Sequence, residues 1–142
     1  MPQDRPIPGS ASDWLARAKG DMALARGPLP EGAFLEDLCF HAQQAAEKAT
    51  KALYIHHGIV FRYTHDLDEL FAGLKKRGIR IPDAVEDSIL LTGYAWEARY
   101  PGVTEPVTEE EYRKAVRLAE EVIVWAEKEL VGARGSSNTA GG

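Results

Sequence analysis

The chain has few of the residues that form disulfide bonds or metal sites. Cys39 is the one cysteine in 142 residues, so neither an intramolecular disulfide nor a cysteine-based zinc cluster can form. It stands between Leu38 and Phe40, where a buried, inert thiol is expected rather than a reactive one. The histidines at 56, 57 and 65, with Asp66, match no metal-ligand spacing. We therefore predict no metal site.

Long apolar runs are also missing. No segment reaches the ~20 apolar residues that span a bilayer, and the first residues lack the basic stretch and apolar run of a signal peptide. With 44% hydrophobic and 27% charged residues, the composition is typical of one globular domain. The sequence predicts a cytoplasmic protein without a membrane partner. Because the formal net charge is -5, contact with nucleic acid would need a local basic cluster.

Motifs for common chemistry are absent as well. There is no glycine-rich phosphate loop, no paired Glu-x-x-His motif and no serine nucleophile motif. No cofactor is predicted. The residues alone indicate no active site.

Hydrophobic spacing of the helical kind fills the middle of the chain. We expect a flexible leader over 1–11, a helical bundle over 12–131, and a disordered Gly/Ser/Ala-rich tail over 132–142. No sustained apolar/polar alternation predicts a strand. The fold class predicted is all-α: an antiparallel up-and-down bundle of four long helices plus one short helix.

Five helices follow from the stop and start signals. The first begins near Ser12 as its cap, and the second runs from about 34 to 57 with Gly58 in a left-handed conformation. A short third helix follows Asp66 and ends at Gly78. The fourth spans from Pro82 to shortly before the prolyl loop at 99–102. The fifth opens with a capping box at positions 108 and 111 and continues to 132.

One polar stripe on the second helix stands out. His41, Gln44, Lys48 and Lys51 lie at i, i+3, i+7 and i+10, so they share a face and could hold a phosphate or an acidic partner. The alternative is a solvated face on which Glu47 and Lys51 form an i,i+4 pair. The pattern alone favours this alternative.

The end of the fourth helix offers a second candidate. Arg99 is either a structural arginine, paired with Glu97 or Asp66, or a guanidinium that faces a phosphate. The sequence leaves both open.

Several segments together resemble the HEPN family. FHAQQAAEKATKAL at 40–53 is similar to its second helix, and Thr-His-Asp-Leu at 64–67 to its His-Asp-Leu motif. Tyr94, Glu97 and Arg99 with the following Tyr-Pro-Gly resemble its Arg-Tyr-Pro loop. The helix with Ala-Glu-Glu at 119–121, ending near Trp125, fits its last element.

The resemblance implies a homodimeric helical bundle that pairs with a separately encoded minimal nucleotidyltransferase, in some cases in a toxin–antitoxin-like pair. Many family members are ribonucleases with an Arg-x(4–6)-His motif, and others were proposed to bind nucleotides or substrates. That motif is absent here, because Arg62 precedes His65 by too few residues and no histidine follows Arg99.

Our leading hypothesis is therefore a non-catalytic accessory subunit that binds substrate or nucleotide. Its expected ligand-binding residues are Lys48, Lys51, His65, Arg99, Gln44 and His41. A divergent metal-independent ribonuclease, with RNA as substrate and with His65 and Arg99 as catalytic candidates, is the alternative from the enzyme class. A purely structural dimerisation module is the third.

The apolar pattern of the fifth helix favours a homodimer. Leu118, Val122 and Trp125 extend its apolar face beyond one stripe, and a twofold dimer would cover them. The alternative is that Trp96 and Trp125 pack under loops of their own chain.

Overall fold

The computed structural model describes residues 4–61, 63–96 and 105–140, with side chains at all of these except 96 and 133–140. These residues are helical or loop and contain no strand, as the sequence predicts. In chain order the helices are α1 (Ala11–Arg26), α2 (Leu35–His56), α3 (Leu67–Lys76), α4 (Asp83–Glu86), a 3-10 helix (Asp87–Thr92), α5 (Gly93–Trp96) and α6 (Glu109–Ala140).

Side chains define the start of α1 differently from the prediction. The N-cap is Ser10, whose hydroxyl accepts a hydrogen bond from the Asp13 N–H at 3.1 Å. The Asp13 carboxylate in turn accepts from the Gly9 N–H at 2.9 Å. This reciprocal arrangement satisfies two backbone donors at once, which explains why Ser12, the predicted cap, lies inside the first turn instead.

Other helix ends follow the sequence signals. Gly58 closes α2 with φ 68°, and Asp66 caps α3 by accepting from the Asp68 N–H at 3.0 Å. Before α6, the Thr108 hydroxyl accepts from the Glu111 N–H at 3.1 Å, and the Glu111 carboxylate accepts from the Thr108 N–H at 3.3 Å. The predicted capping box is confirmed.

The core lies around α2, which packs on both α1 and α6. Its contact face is a seam of fully buried alanines at positions 42, 45, 46, 49 and 52. Short side chains let neighbouring backbones approach closely. Asp21 contacts His41 and Lys48 while Trp14, earlier on α1, lies near Lys51, so α1 and α2 are antiparallel.

α3 packs through Leu67, Leu70, Phe71 and Leu74, all buried. Tyr54 of α2 reaches under it, and its hydroxyl donates to the Leu70 carbonyl at 2.5 Å. The contact fixes α3 against the second half of α2.

The predicted fourth helix is divided into three short pieces: α4, the 3-10 helix and α5. The Ser88 hydroxyl donates to the Val85 carbonyl at 2.5 Å, which competes with regular helical bonding at the junction. Gly93, at the start of α5, adds further backbone freedom. The segment still packs on α2 and α6 as a bundle element.

Two of the three α6 residues that favoured a dimer face inward, and the third, Leu118, is partly buried. Val122 is fully buried, and Trp125 is 7% exposed with its ring edge-on to Phe71 at 6.2 Å. Trp125 therefore packs in its own chain, and these two residues give no reason for a dimer. α6 continues past Gly132 to Ala140, and the disordered tail expected from 132 stays a prediction.

Across these described ranges, no helix is both long and apolar enough to cross a membrane.

Candidate functional site

The polar stripe of α2 divides into two side-chain networks, each centred on a carboxylate that the sequence interpretation gave no binding role. Glu47 hydrogen-bonds to Gln43, Lys51 and His65. Asp21 of α1 hydrogen-bonds to His41 and Lys48. Gln44 joins the first network by donating to the Gln43 amide oxygen at 2.7 Å.

Glu47 lies at the centre of the first network and is 3% exposed. Oε2 accepts from Lys51 Nζ at 2.8 Å, and Oε1 accepts from Gln43 Nε2 at 3.0 Å. His65 Nδ1 lies 2.8 Å from the same Oε1. Gln43 Nε2 also donates to the His65 carbonyl at 3.3 Å, so both the ring and the backbone of His65 are tied to α2.

These bonds decide the charge of Glu47. Burial by itself raises the pKa of a carboxyl group, but the hydrogen bonds from Lys51, Gln43 and His65 outweigh it and lower the pKa of Glu47 below its ordinary value. The group is therefore a carboxylate at neutral pH and can only accept. In this contact, His65 Nδ1 must therefore be protonated and act as the donor.

Lys51 is enclosed on its other sides by aromatic rings. Its Nζ lies 5.8 Å from the ring centroid of Trp14, 5.2 Å from that of Phe61 and 5.7 Å from that of Tyr63. Cation–π attraction of this kind adds to the ion pair with Glu47. Because Lys51 is 4% exposed, its charge acts in this arrangement on groups inside the bundle.

Asp21 organises the second network at the α1–α2 interface. Its Oδ2 accepts from Lys48 Nζ at 2.6 Å, and its Oδ1 lies 3.0 Å from His41 Nδ1. The Asp21 side chain is 11% exposed, against 28% for Lys48 and 33% for His41. The two basic side chains keep a solvent-facing edge, and the Asp21 carboxylate lies beneath them.

The surface beside Glu47 is formed by the loop before α3. The His65 side chain is 33% exposed, and the neighbouring Tyr63 is 93% exposed with its ring centroid 6.1 Å from that of His65. An imidazole and an exposed aromatic ring thus lie together, held from below by α2.

Of the sequence-predicted site residues, the structure brings His65, Lys51 and Gln44 into one network and His41 and Lys48 into the other. Arg99 and its candidate partner Glu97 lie outside the described residues.

The i,i+4 pair of Glu47 and Lys51 is present, but it is buried rather than solvated. Sequence reasoning missed Asp21 and Gln43; the i,i+4 spacing of Gln43, Glu47 and Lys51 could have indicated the first network.

The cysteine lies in the core, as expected. Cys39 is buried, and burial, with the nearby carboxylates of Glu36 and Glu111, raises the pKa of its thiol to about 12. In the part of the chain that the structure describes, no three His, Cys, Asp or Glu side chains are arranged to hold a metal ion.

The described residues thus form helices packed around an alanine-rich central helix, with a His-Asp-Leu loop tied to it by a buried glutamate. A family model for the HEPN domain matches residues 11–130. The chain belongs to the HEPN family, and the resemblance seen in the sequence is confirmed.

Two solved structures are similar over nearly their whole length. TT1696 from Thermus thermophilus is 31% identical with a TM-score of 0.74, and the match covers 84% of this chain and 98% of that one. ST0689, an archaeal HEPN homologue, is 26% identical with a TM-score of 0.69 over 85% of this chain and 98% of that one. A search of curated proteins found no match.

Proposed function

We propose that the protein is a non-catalytic accessory subunit that presents a nucleotide or substrate to a separate minimal nucleotidyltransferase. The observation that carries this proposal is the pair of His65 and Tyr63 on a loop held by buried Glu47. A surface fixed before binding loses little entropy when it captures a ligand. Its chemistry suits a nucleotide, because an exposed ring can stack on a base and an imidazole can meet a phosphate.

The other predicted ligand contacts take different parts in this proposal. Lys48 and His41 keep partly exposed edges and can add to an anion-binding face, whereas Lys51 acts through Glu47 by balancing its charge. Arg99 remains a proposed phosphate contact from the sequence. The missing Arg-x(4–6)-His motif supports a role without catalysis.

Isothermal titration of the full chain with ATP tests the binding step. We expect binding that Tyr63→Ser and His65→Ala each weaken about tenfold, since stacking on one ring is worth about 1–3 kcal/mol. His57→Ala is the matched control, because His57 is an exposed histidine away from Glu47. Wild-type protein that binds no nucleotide, or variants that bind as well as wild type, would contradict the proposal.

The partner is tested separately. A tagged full chain, purified from the cells that make it, is expected to carry a nucleotidyltransferase with it. Recovery without any nucleotidyltransferase would remove that part of the proposal.

A homodimer is also part of the proposal, on the strength of the family rather than of α6. Sedimentation equilibrium at micromolar concentration should show a species of about twice the 15.6 kDa chain mass. A single species at the chain mass would show the dimer proposal to be wrong.

One observation favours a second function, the divergent ribonuclease. A buried carboxylate that holds Nδ1 of an imidazole, as Glu47 holds His65, orients the ring so that Nε2 can exchange protons with a substrate. Arg99 would stabilise the developing charge.

This alternative predicts RNA cleavage in the presence of EDTA. His65→Ala should abolish cleavage, and Glu47→Gln should lower it and shift its pH profile, while His57→Ala should leave it unchanged. Wild-type protein without cleavage would rule out the alternative.

A further inference from the structure

A groove with a volume of about 540 Å³ lies where the end of α1 meets the start of α2. Its walls are mostly apolar and include Leu24, Pro28, Pro30, Leu38 and Phe40. The volume is in the usual range of binding pockets, roughly 300–1,000 Å³. The groove is apart from the Glu47 network, and of the proposed contacts that the structure describes only His41 lines it.

Exposed apolar side chains occur on the groove wall and next to it in the chain. Leu24, which lines the groove, is 56% exposed. Leu29, 44% exposed, and Phe34, 67% exposed, do not line it themselves but directly follow or precede residues that do in the connection from α1 to α2. Isolated exposed apolar residues are ordinary, but neighbouring ones beside a concave surface mark an interaction site. The end of the bundle therefore offers both a cavity and an apolar rim.

The charge around the groove is negative. Glu36 and Asp37 line it, and the start of α6 lies alongside, because the Val107 N–H donates to Glu36 Oε1 at 2.6 Å. The carboxylates at this end are Glu31, Glu36, Asp37, Glu105, Glu109, Glu110 and Glu111. Among the described residues, the cations on this side are Arg26, Arg113, Lys114 and Arg117, and Arg26 and Arg113 are ion-paired with Glu120 and Glu109.

A second copy of the chain fits this surface poorly. A twofold interface would place the same acidic surface against itself, and like charges at close range disfavour it. The exposed basic cluster at 75–80 lies toward the other end of α2, since α3 runs along the second half of that helix. Lys75 of that cluster is moreover paired with Glu86, and none of its residues is a large, well-exposed apolar one.

We propose that the groove docks a basic amphipathic segment of a partner protein. An apolar side chain of the segment seats between Leu24 and Phe34, and its Lys or Arg side chains face Glu36 and Asp37. Helix-in-groove recognition works in this way, with apolar anchors for affinity and charges for register.

A fluorescent synthetic helix of leucine and lysine, with leucines at helical spacing, serves as the probe. Anisotropy titration of the full chain is expected to show binding that weakens with added salt. Leu24→Ser and Phe34→Ser should each weaken it about tenfold, which is the loss of one anchor. Val60→Ser and Val131→Ser are matched controls, because both side chains are well exposed elsewhere, and they should leave binding unchanged.

The charge contribution has its own variants. Glu36→Gln and Asp37→Asn keep oxygen acceptors for the Val107 and Phe34 N–H groups, so the fold is retained while the charge is removed. Both variants should bind the leucine–lysine probe more weakly, and their binding should depend less on salt.

Three results would overturn the inference: no binding of the lysine probe, equal binding of a leucine–glutamate probe, or binding that the groove variants do not change. A wild-type dimer that Phe34→Ser converts to monomer would also overturn it, by assigning the groove to a second copy. The probe requires neither nucleotide nor nucleotidyltransferase. This inference and the proposed function can therefore fail separately.

Discussion

Lys51 and Glu47, one turn apart on α2, form an ion pair of 2.8 Å in which the two side chains are only 5% and 4% exposed. Such a pair is uncommon, because each charge gives up its hydration. Here Gln43 and His65 also hydrogen-bond to the Glu47 carboxylate, and three aromatic rings lie around the Lys51 ammonium group. The pair joins α1, α2 and the loop before α3 into one unit.

We expect removal of Glu47 and removal of Lys51 to lower the free energy of unfolding by different amounts. Glu47→Gln leaves the Lys51 cation buried without a counter-charge and should lower the free energy of unfolding by about 3–5 kcal/mol. Lys51→Met should cost less, because Glu47 keeps two donors and methionine packs well among aromatic rings. Urea denaturation followed by circular dichroism measures both.

The exposed pair of Lys19 and Glu127 is the control for this comparison. Its side chains are 51% and 43% exposed, so Glu127→Gln should change the free energy of unfolding by no more than about 1 kcal/mol. Equal effects of Glu127→Gln and Glu47→Gln would mean that burial of the pair has no energetic weight.

Acid should weaken the fold through the same carboxylate. Because the pKa of Glu47 is lowered in the folded chain, its contribution is complete above its ordinary pKa of 4.5 and is lost as pH falls through the folded value. The stability gap between wild type and Glu47→Gln should therefore narrow below pH 4.5. Urea midpoints across this range measure the gap, and a gap that stays constant or widens would speak against the assignment.

Gly73 on α3 should not tolerate a methyl group. A Cβ there would lie 2.1 Å from the Tyr54 hydroxyl oxygen, and Tyr54 is buried with its hydroxyl bonded to Leu70. Gly73→Ala should cost about 1–3 kcal/mol, and combining it with Tyr54→Phe should recover part of that cost. The melting temperature follows both changes.

Gly20 supplies the matched substitution in a helix. Nothing lies within 4 Å of a Cβ built there, so Gly20→Ala should stabilise the chain by about 0.5–1 kcal/mol. If Gly73→Ala also stabilised it, the close approach of Tyr54 would have to be looser than described.

The thiol of Cys39 should resist labelling in the folded chain. With its pKa raised to about 12 by burial and by Glu36 and Glu111, hardly any thiolate exists at pH 8. A disulfide reagent followed by absorbance should react promptly only after denaturant is added. Fast reaction without denaturant would show that the first turns of α2 open readily.

Much of the fold could be predicted because its signals are local. The alanine seam of α2, the glycine at 58 and the capping box before α6 each act within a few residues, and each appears where expected. The fourth helix was harder, since the bond from Ser88 to Val85 and the glycine at 93 compete with an apolar pattern that favours one continuous helix.

The site could be predicted only in part, because its partners come from different helices. Spacing places His41 and Lys48 on one face of α2 but does not show that Asp21, on α1, receives both. The same face placed Lys51 beside them, yet packing against Trp14 and Phe61 turns it inward. Burial of a charged side chain depends on the whole fold, which no single helix encodes.

The alanine seam has a consequence for how cheaply the bundle orders itself. An alanine side chain has no rotamers to lose, so fixing the central face of α2 costs backbone entropy alone. Leucines or methionines at positions 42, 45, 46, 49 and 52 would each add a side-chain entropy cost and hold the neighbouring helices further away. Beside this seam, folding also orders three long polar side chains, those of Gln43, Glu47 and Lys51. The side-chain entropy lost by α2 therefore comes mainly from such polar residues and not from its alanine face.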